Sequence, residues 1–276
     1  MADEGFQTAL RFEDVCVRFG DTMALDHVSF KVPRGHTRII FGAAGAGKTI
    51  ALKVALGLIK PDSGRVFVFD QDIKDYNEVQ LFDMRSKIGM LFQEGALFDS
   101  MTIEENVAYP LFNQKAIRCP EDEAMRRVRE ALRFVELEHT LAKVPSELSG
   151  GMRRRVAIAR AVVTNPPMLL YDSPTAGLDP ITANTIITLI VKQRDLSQTT
   201  TLLVTHRYQN GNLMANYRFN RESQEIEPER GPIDQRPAAN TKFLGFKEGK
   251  LVFEGSQLEL EKSDDPYVAN FVNHNG

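Results

Sequence analysis

No run of apolar residues in this 276-residue chain approaches the ~18 needed to cross a bilayer as a helix. If the protein works on a membrane, another subunit has to span it. The acidic start Met1-Ala2-Asp3-Glu4 opens no apolar stretch, so no signal peptide is expected. Cysteine is scarce. Cys16 and Cys119 lie far apart, with neither metal-ligand spacing nor a disulfide framework, which fits a reducing cytoplasm. Neither sign of charge dominates: 26% of residues are charged and the net charge is −3, which implies neither a nucleic-acid partner nor an acidic tail. The one basic cluster, Arg153-Arg154-Arg155, lacks the interleaved aromatic residues of a base-stacking platform and reads as a solvated helix face. No internal repeat interrupts the chain, whose length suffices for one large α/β domain or a domain with subdomains.

What is present is concentrated in Gly42-Ala43-Ala44-Gly45-Ala46-Gly47-Lys48-Thr49. This is the P-loop pattern of Gly, any four residues, then Gly-Lys-Thr. Glycines and alanines keep the backbone bare, so successive N–H groups can turn inward around phosphates. Lys48 can reach β/γ oxygens, and the Thr49 hydroxyl suits Mg²⁺. Apolar Thr37-Arg38-Ile39-Ile40-Phe41 precedes the motif like a strand, and Ile50-Ala51-Leu52-Lys53-Val54-Ala55-Leu56 follows like a helix. Phosphate would sit at that helix's N-terminus, where the dipole favours anions.

Upstream, residues 9–19 and 24–32 read as strands around a Gly20-Asp21 turn. Residues 65–69 and 88–92 read as strands flanking a helix at 76–87. From Gln93 to about Val163 the pattern is mostly helical, and residues 121–132 place Met125, Val128 and Leu132 on one face. Strands return at 168–171 and 200–204, giving a parallel-sheet core interrupted by a helical insert. The polar, Pro-containing stretch 218–241 reads as a mobile surface loop. Residues 242–253 form a hairpin turning at Glu248-Gly249, and 264–272 a short helix with Tyr267 and Phe271 on one side.

Other residues extend the phosphate chemistry. Gln93 follows the apolar strand that ends at Phe92 and can place an amide near Mg²⁺ and an attacking water. Ser149 can cap a helix opened by Gly150 and Gly151, whose bare N–H groups admit phosphate. Met168-Leu169-Leu170-Tyr171-Asp172 is an apolar strand ending in a carboxylate, as expected of an Mg²⁺-holding Asp opposite a P-loop. Asp179 follows in Gly177-Leu178-Asp179-Pro180, and His206 ends the strand carrying Leu202-Leu203-Val204-Thr205.

In order and spacing, these segments resemble the ATP-binding subunit of ABC transporters along nearly the whole chain. The resemblance implies a P-loop (RecA-like) ABC ATPase core with an N-terminal antiparallel β subdomain and an α-helical subdomain. The ATPase domain would span residues 1–262, with the helical subdomain at about 94–163, a polar insertion at about 218–241, and a short tail at 263–276. It assigns ATP to Phe19, Gly42, Ala43, Ala44, Gly45, Ala46, Gly47, Lys48 and Thr49 of one chain and to Ser149, Gly150, Gly151 and Asp179. Thr49, Gln93 and Asp172 would hold Mg²⁺, and His206, Gln93, Ser173 and Lys48 would serve catalysis. Two copies would pair head to tail around ATP, beside a transmembrane permease on the inner face of the cytoplasmic membrane. Phe92, Leu97, Phe98, Met101 and Tyr109 are apolar candidates for a groove that receives the permease. Residues 92–100, 105–111, 148–153 and the closing Asp265-Pro266-Tyr267 with Phe271 are similar to the Mla/Mce-type branch. That branch implies phospholipid or another hydrophobic cargo and a lipid-binding Mce-type partner.

One position departs from the family. Where the family has a glutamate after the Asp172 carboxylate, this chain has Ser173, which has no carboxylate to accept a proton. A slow ATPase is expected, and a nucleotide-gated switch is the alternative. Glu94, a substitute carboxylate in principle, belongs to the permease-facing loop. A role on DNA or ribosomes fits poorly, since neither a long coiled-coil insertion nor a second cassette is present.

Overall fold

The computed structural model describes residues 7–114, 119–229 and 240–273. It opens with two long strands, β1 (Thr8–Phe19) and β2 (Thr22–Pro33), paired antiparallel around the Gly20-Asp21 turn. Inward residues Leu10, Phe12, Val28 and Phe30 are buried, with the Phe12 and Phe30 rings stacked 4.7 Å apart. The chain next forms β3 (Thr37–Gly42) and α1 (Lys48–Ala55). β4 (Ser63–Val68) and β5 (Gln71–Asp72) then complete a four-stranded sheet in the order β2-β1-β4-β5.

After α2 (Glu78–Arg85), β6 (Ile88–Leu91) enters a second sheet. The helices α3 (Ile103–Asn113), α4 (Glu121–Phe134) and α5 (Gly150–Val162) follow and pack against one another. Capping explains where they begin. Asn77 with Gln80 and Thr102 with Glu105 form reciprocal capping boxes, while Ser149 accepts the Met152 N–H. Strand β7 (Met168–Asp172) leads to α6 (Pro180–Ser197), whose first turn is capped by Asp179 with Pro180 at N1. Then come β8 (Thr200–Val204) and α7 (Tyr208–Asn216).

The second sheet runs β12-β11-β3-β8-β7-β6, where β11 (Thr241–Lys247) and β12 (Lys250–Gly255) form the closing hairpin. Its ladders are parallel except for that hairpin. Glu248 and Gly249 both have positive φ, which suits the tight turn expected there. Because side chains alternate across a strand, each central strand serves two cores. Ile39, Phe41, Leu169, Tyr171 and Leu203 face the helices α3 to α6, whereas Ile40, Leu170, Leu202 and Val204 face α1 and the first sheet. Helix α8 (Gln257–Glu261) and α9 (Pro266–Asn273) finish the chain.

Two expectations need correction. Residues 218–241 are not a loop throughout: β9 (Tyr217–Phe219) and β10 (Ile226–Pro228) form a small hairpin. Its polar residues are used locally. Arg194 of α6 donates to the Tyr217 carbonyl, Asp195 accepts the Phe219 N–H, and Asn220 accepts the Glu222 N–H. The remainder of that stretch, 230–239, lies outside the described residues. The arginine run is likewise not a solvated face. Arg153 is exposed, but Arg154 is buried and Arg155 donates to the Val135 carbonyl.

Candidate functional site

Four neighbouring strands of the second sheet end on one edge in the order β3-β8-β7-β6. Their registers pair Ile40 with Val204, Val204 with Asp172, and Tyr171 with Leu91. The residues that follow these strand ends, Gly42 with the loop to Lys48, His206, Asp172 with Ser173, and Gln93, are therefore brought to the same rim. In open α/β sheets the crevice beyond the carboxyl ends of the strands is where ligands bind.

Backbone geometry makes the P-loop. Gly42, Gly45 and Gly47 have φ of 148°, 76° and 99°. A side chain at Gly42 would come within 2.2 Å of the Phe246 carbonyl, and one at Gly47 within 2.4 Å of the Ala24 carbonyl. Gly47 is the N-cap of α1 and offers no side-chain cap, which leaves the first-turn N–H groups for a phosphate to take. Lys48 Nζ folds over the loop and donates to the carbonyls of Gly42 at 2.8 Å and Ala43 at 2.6 Å. Burial lowers its pKa, and the Asp172 charge opposes that shift.

Asp172 is the electrostatic centre of the site. It is 3% exposed, with one carboxylate oxygen accepting the Thr49 hydroxyl at 2.9 Å and the other the Ser173 hydroxyl at 3.2 Å. Ser173 has φ +48°, a left-handed conformation held by its N–H on the Val204 carbonyl. Gln93 is exposed at the start of the turn after β6. His206 keeps part of its surface in water; the buried part, together with the Arg207 and Lys48 charges, lowers its pKa. Phe19 is 51% exposed at the end of β1, an aromatic face open to solvent.

The remaining candidates form a second group. Ser149 caps α5, Gly150 and Gly151 form its first turn, and Asp179 accepts the N–H groups of Ile181 and Thr182 at the start of α6. Those bonds, Thr182 first, pull the Asp179 carboxyl below its usual range. Together they line a concavity of about 610 Å³ with Arg155, Leu178 and Thr182, and its walls include none of the P-loop. The candidate residues of one chain therefore fall into two groups that share no wall of this concavity.

A groove of about 470 Å³ lies beside the Gln93 turn, walled by Phe82, Met90, Phe92, Phe98, Tyr109 and Arg160. Phe98 and Tyr109 are 38% and 37% exposed, with ring centroids 4.7 Å apart. Asn106, fully buried, pins this segment by donating to the carbonyls of Phe98, Met101 and Thr102. Leu97 packs into the core instead, and neither it nor Met101 lines the groove. Glu94 is exposed on the same turn, and its charge acts on Arg154.

Two contributors were not legible in the sequence. The Tyr267 hydroxyl accepts the Ala43 N–H at 2.8 Å and donates to the Phe246 carbonyl at 2.6 Å, tying the tail helix to the P-loop. Phe271 stacks on Phe41 at 4.2 Å and anchors that helix. Only the one-sided spacing of Tyr267 and Phe271 hinted at packing; nothing in the sequence pointed to residue 43. Ligand atoms of Cys16, Asp26 and His27 lie within 4.8 Å of one another, a grouping that does not involve Cys119. A bulge in β1–β2 brings these residues together, and they are tied internally, Asp26 to Lys250 and His27 to Asp14.

Among the described residues, no helix is long and apolar enough to cross a membrane. The ABC transporter family model matches residues 25–176. The chain is 33% identical over 213 residues to the intermembrane phospholipid transport system ATP-binding protein MlaF of Haemophilus influenzae, covering 77% of this chain and 80% of that protein. It is 39% identical over 198 residues to the methionine import ATP-binding protein MetN of Clostridium tetani, covering 72% of this chain and 61% of that protein. Its fold superposes with TM-score 0.73 and 28% identity on the ATP-binding cassette MJ0796, solved as a dimer in a post-hydrolysis state with ADP and Pi; the match covers 90% of this chain and 98% of that one. The chain belongs to the ABC transporter family, as its ATPase subunit.

Proposed function

We propose that two copies of this chain close around two ATP molecules, each between one copy's P-loop and the other's Ser149 helix, and that this cycle drives a separate permease. The observation that carries this reading is the division of the candidate residues into two separate groups, one at the P-loop and one at the start of α5. The dimeric form of the similar cassette supports it.

Within each site, the N–H groups of 45–49 and the Lys48 ammonium would hold the β- and γ-phosphates, and Phe19 would stack on the adenine. The oxygen donors at Thr49 and Asp172, 2.9 Å apart, suit Mg²⁺, with Gln93 as a third ligand. Bound there, the ion would neutralise charge on the β/γ-phosphate oxygens. His206 would contact the γ-phosphate, and Gln93 would orient the attacking water. Ser173 supplies no general base, so turnover would rest on positioning and electrostatics. On the second copy, the first turn of α5 and Asp179 would close the site, and loss of the γ-phosphate would release it.

The groove walled by Phe92, Phe98 and Tyr109 would receive a helix of the permease. The cargo assigned by this reading is phospholipid or another hydrophobic molecule, handled with a lipid-binding Mce-type partner at the inner face of the cytoplasmic membrane. Similarity to MlaF supports it, while similarity to MetN makes methionine the competing cargo. Reconstitution with its permease in vesicles tests the assignment: ATP-dependent movement of a fluorescent phospholipid is expected, and movement of methionine alone would overturn it. A nucleotide-gated switch is the second reading, favoured by the commitment of the Ser173 hydroxyl to Asp172. Phosphate release with and without the permease separates the two, because a slowly hydrolysing switch shows no appreciable turnover in either state.

A further inference from the structure

Arg154 carries a full charge into the protein at 8% exposure, inside a run whose sequence pattern suggested a solvated face. It sits in the second turn of α5. Its Nη1 donates to the Phe92 carbonyl and its Nη2 to the Ala176 carbonyl, both at 3.3 Å. Phe92 immediately precedes Gln93. Ala176 lies between Ser173 and Asp179, and its own N–H donates to the Ser173 carbonyl at 3.0 Å. The guanidinium thus joins the segment that leads into Gln93 to the one that runs from Ser173 to Asp179. Its planar fork of donors can hold two carbonyls at a fixed separation, which a flexible ammonium cannot do.

We infer that Arg154 is a positioning residue that fixes the 92–96 turn and the 173–179 loop to α5, so that the water site in one ATP pocket moves with the helix end facing the other. This rests on the two-copy reading above. Neighbouring contacts reinforce the same assembly. Arg160 of α5 donates to the carbonyls of Gly95 at 2.7 Å and Ala96 at 2.8 Å, so both ends of the turn are fixed to one helix. Arg207, beside His206, donates to the Leu178 carbonyl at 3.3 Å and holds the far end of the loop. Without a carboxylate at position 173, alignment of water depends on where these two backbones lie. Arg154 bonds no residue of the P-loop, so its removal lowers turnover more than it weakens MgATP binding, which the P-loop and Lys48 chiefly provide.

Full-length Arg154→Met and Arg154→Lys proteins, compared with the unaltered chain, test this by MgATP affinity, phosphate release at saturating MgATP, and amide hydrogen exchange. For Arg154→Met, turnover falls about 10-fold, as expected of a sub-ångström misplacement. Affinity stays within about 2-fold, the signature of a lost transition-state contribution. Exchange rises together in 92–96 and 173–179, while 103–113 and 121–134 keep their protection. Arg154→Lys restores protection to one segment at most, and not the turnover. Unchanged turnover in Arg154→Met overturns the inference, as does exchange rising equally across 103–113 and 121–134, which would mark general loosening of the helices. Failure of the unaltered chain to bind MgATP would overturn the nucleotide reading itself, a failure distinguished by affinity alone.

Discussion

Ser173→Glu places a carboxylate at the position where the site lacks a general base, and its consequences follow from local geometry. Ser173 already occupies a left-handed conformation, φ +48°, so the replacement adds little backbone strain. It removes the hydroxyl that donates to Asp172 at 3.2 Å, a loss of about 1 kcal/mol. It also sets a second carboxylate beside Asp172, and like charges ~5 Å apart at an effective dielectric of ~20 repel by about 3 kcal/mol before screening. Without nucleotide, the variant should be less stable by roughly 2–4 kcal/mol, lowering Tm by roughly 5–10 °C. With MgATP, the new carboxylate meets the attacking water. General-base catalysis typically contributes 10²–10⁴-fold, and at least about 10-fold faster phosphate release is expected from a side chain placed without further adjustment. The assay is phosphate release at saturating MgATP, with thermal unfolding as the control. If Tm falls but turnover does not rise, water activation does not depend on position 173 and the account of the slow site is wrong.

Tyr267→Phe leaves the Ala43 N–H and the Phe246 carbonyl without their shared hydroxyl; a loss of about 1 kcal/mol at the loop predicts roughly 5-fold weaker MgATP binding by calorimetry. Gly47→Ala forces a side chain into a positive φ and to within 2.4 Å of the Ala24 carbonyl, so urea unfolding should show a loss of more than about 1 kcal/mol, and an unchanged midpoint would contradict the geometry. The folded-state pKa values of His206 and His36 are lowered, so just below pH 6.5 the unfolded chain binds more protons, and stability is lost as pH falls toward the folded values. His206→Asn should flatten that slope in urea titrations between about pH 5 and 7, while His27, raised by Asp14, contributes the opposite slope in all variants.

Much of the architecture was legible because its signals are local. The P-loop, the strand ending in Asp172, the caps at Ser149 and Asp179, and the turn at Glu248-Gly249 are each set by a few adjacent residues, and the elements stand where those residues placed them. The hairpin at 217–228 was not legible because its polar residues read as loop, whereas what fixes it is backbone bonding of Tyr217 and Phe219 to Arg194 and Asp195 of α6. The arginine run misled for a related reason. Helical spacing separates faces, but only the packed fold reveals that carbonyls of two distant loops await the Arg154 guanidinium. Tyr267 reaches Ala43 across 224 positions, a contact that no spacing rule contains.

The pairing of half-sites between copies can be tested by Ser149→Arg, which places a long cation at the α5 end and leaves the P-loop untouched. In sedimentation under conditions where MgATP is not hydrolysed, the unaltered chain should dimerise, and the variant should stay monomeric while still binding about one ATP per chain. A variant that dimerises with MgATP as the unaltered chain does would show that Ser149 faces no nucleotide, and the two-copy account would fall.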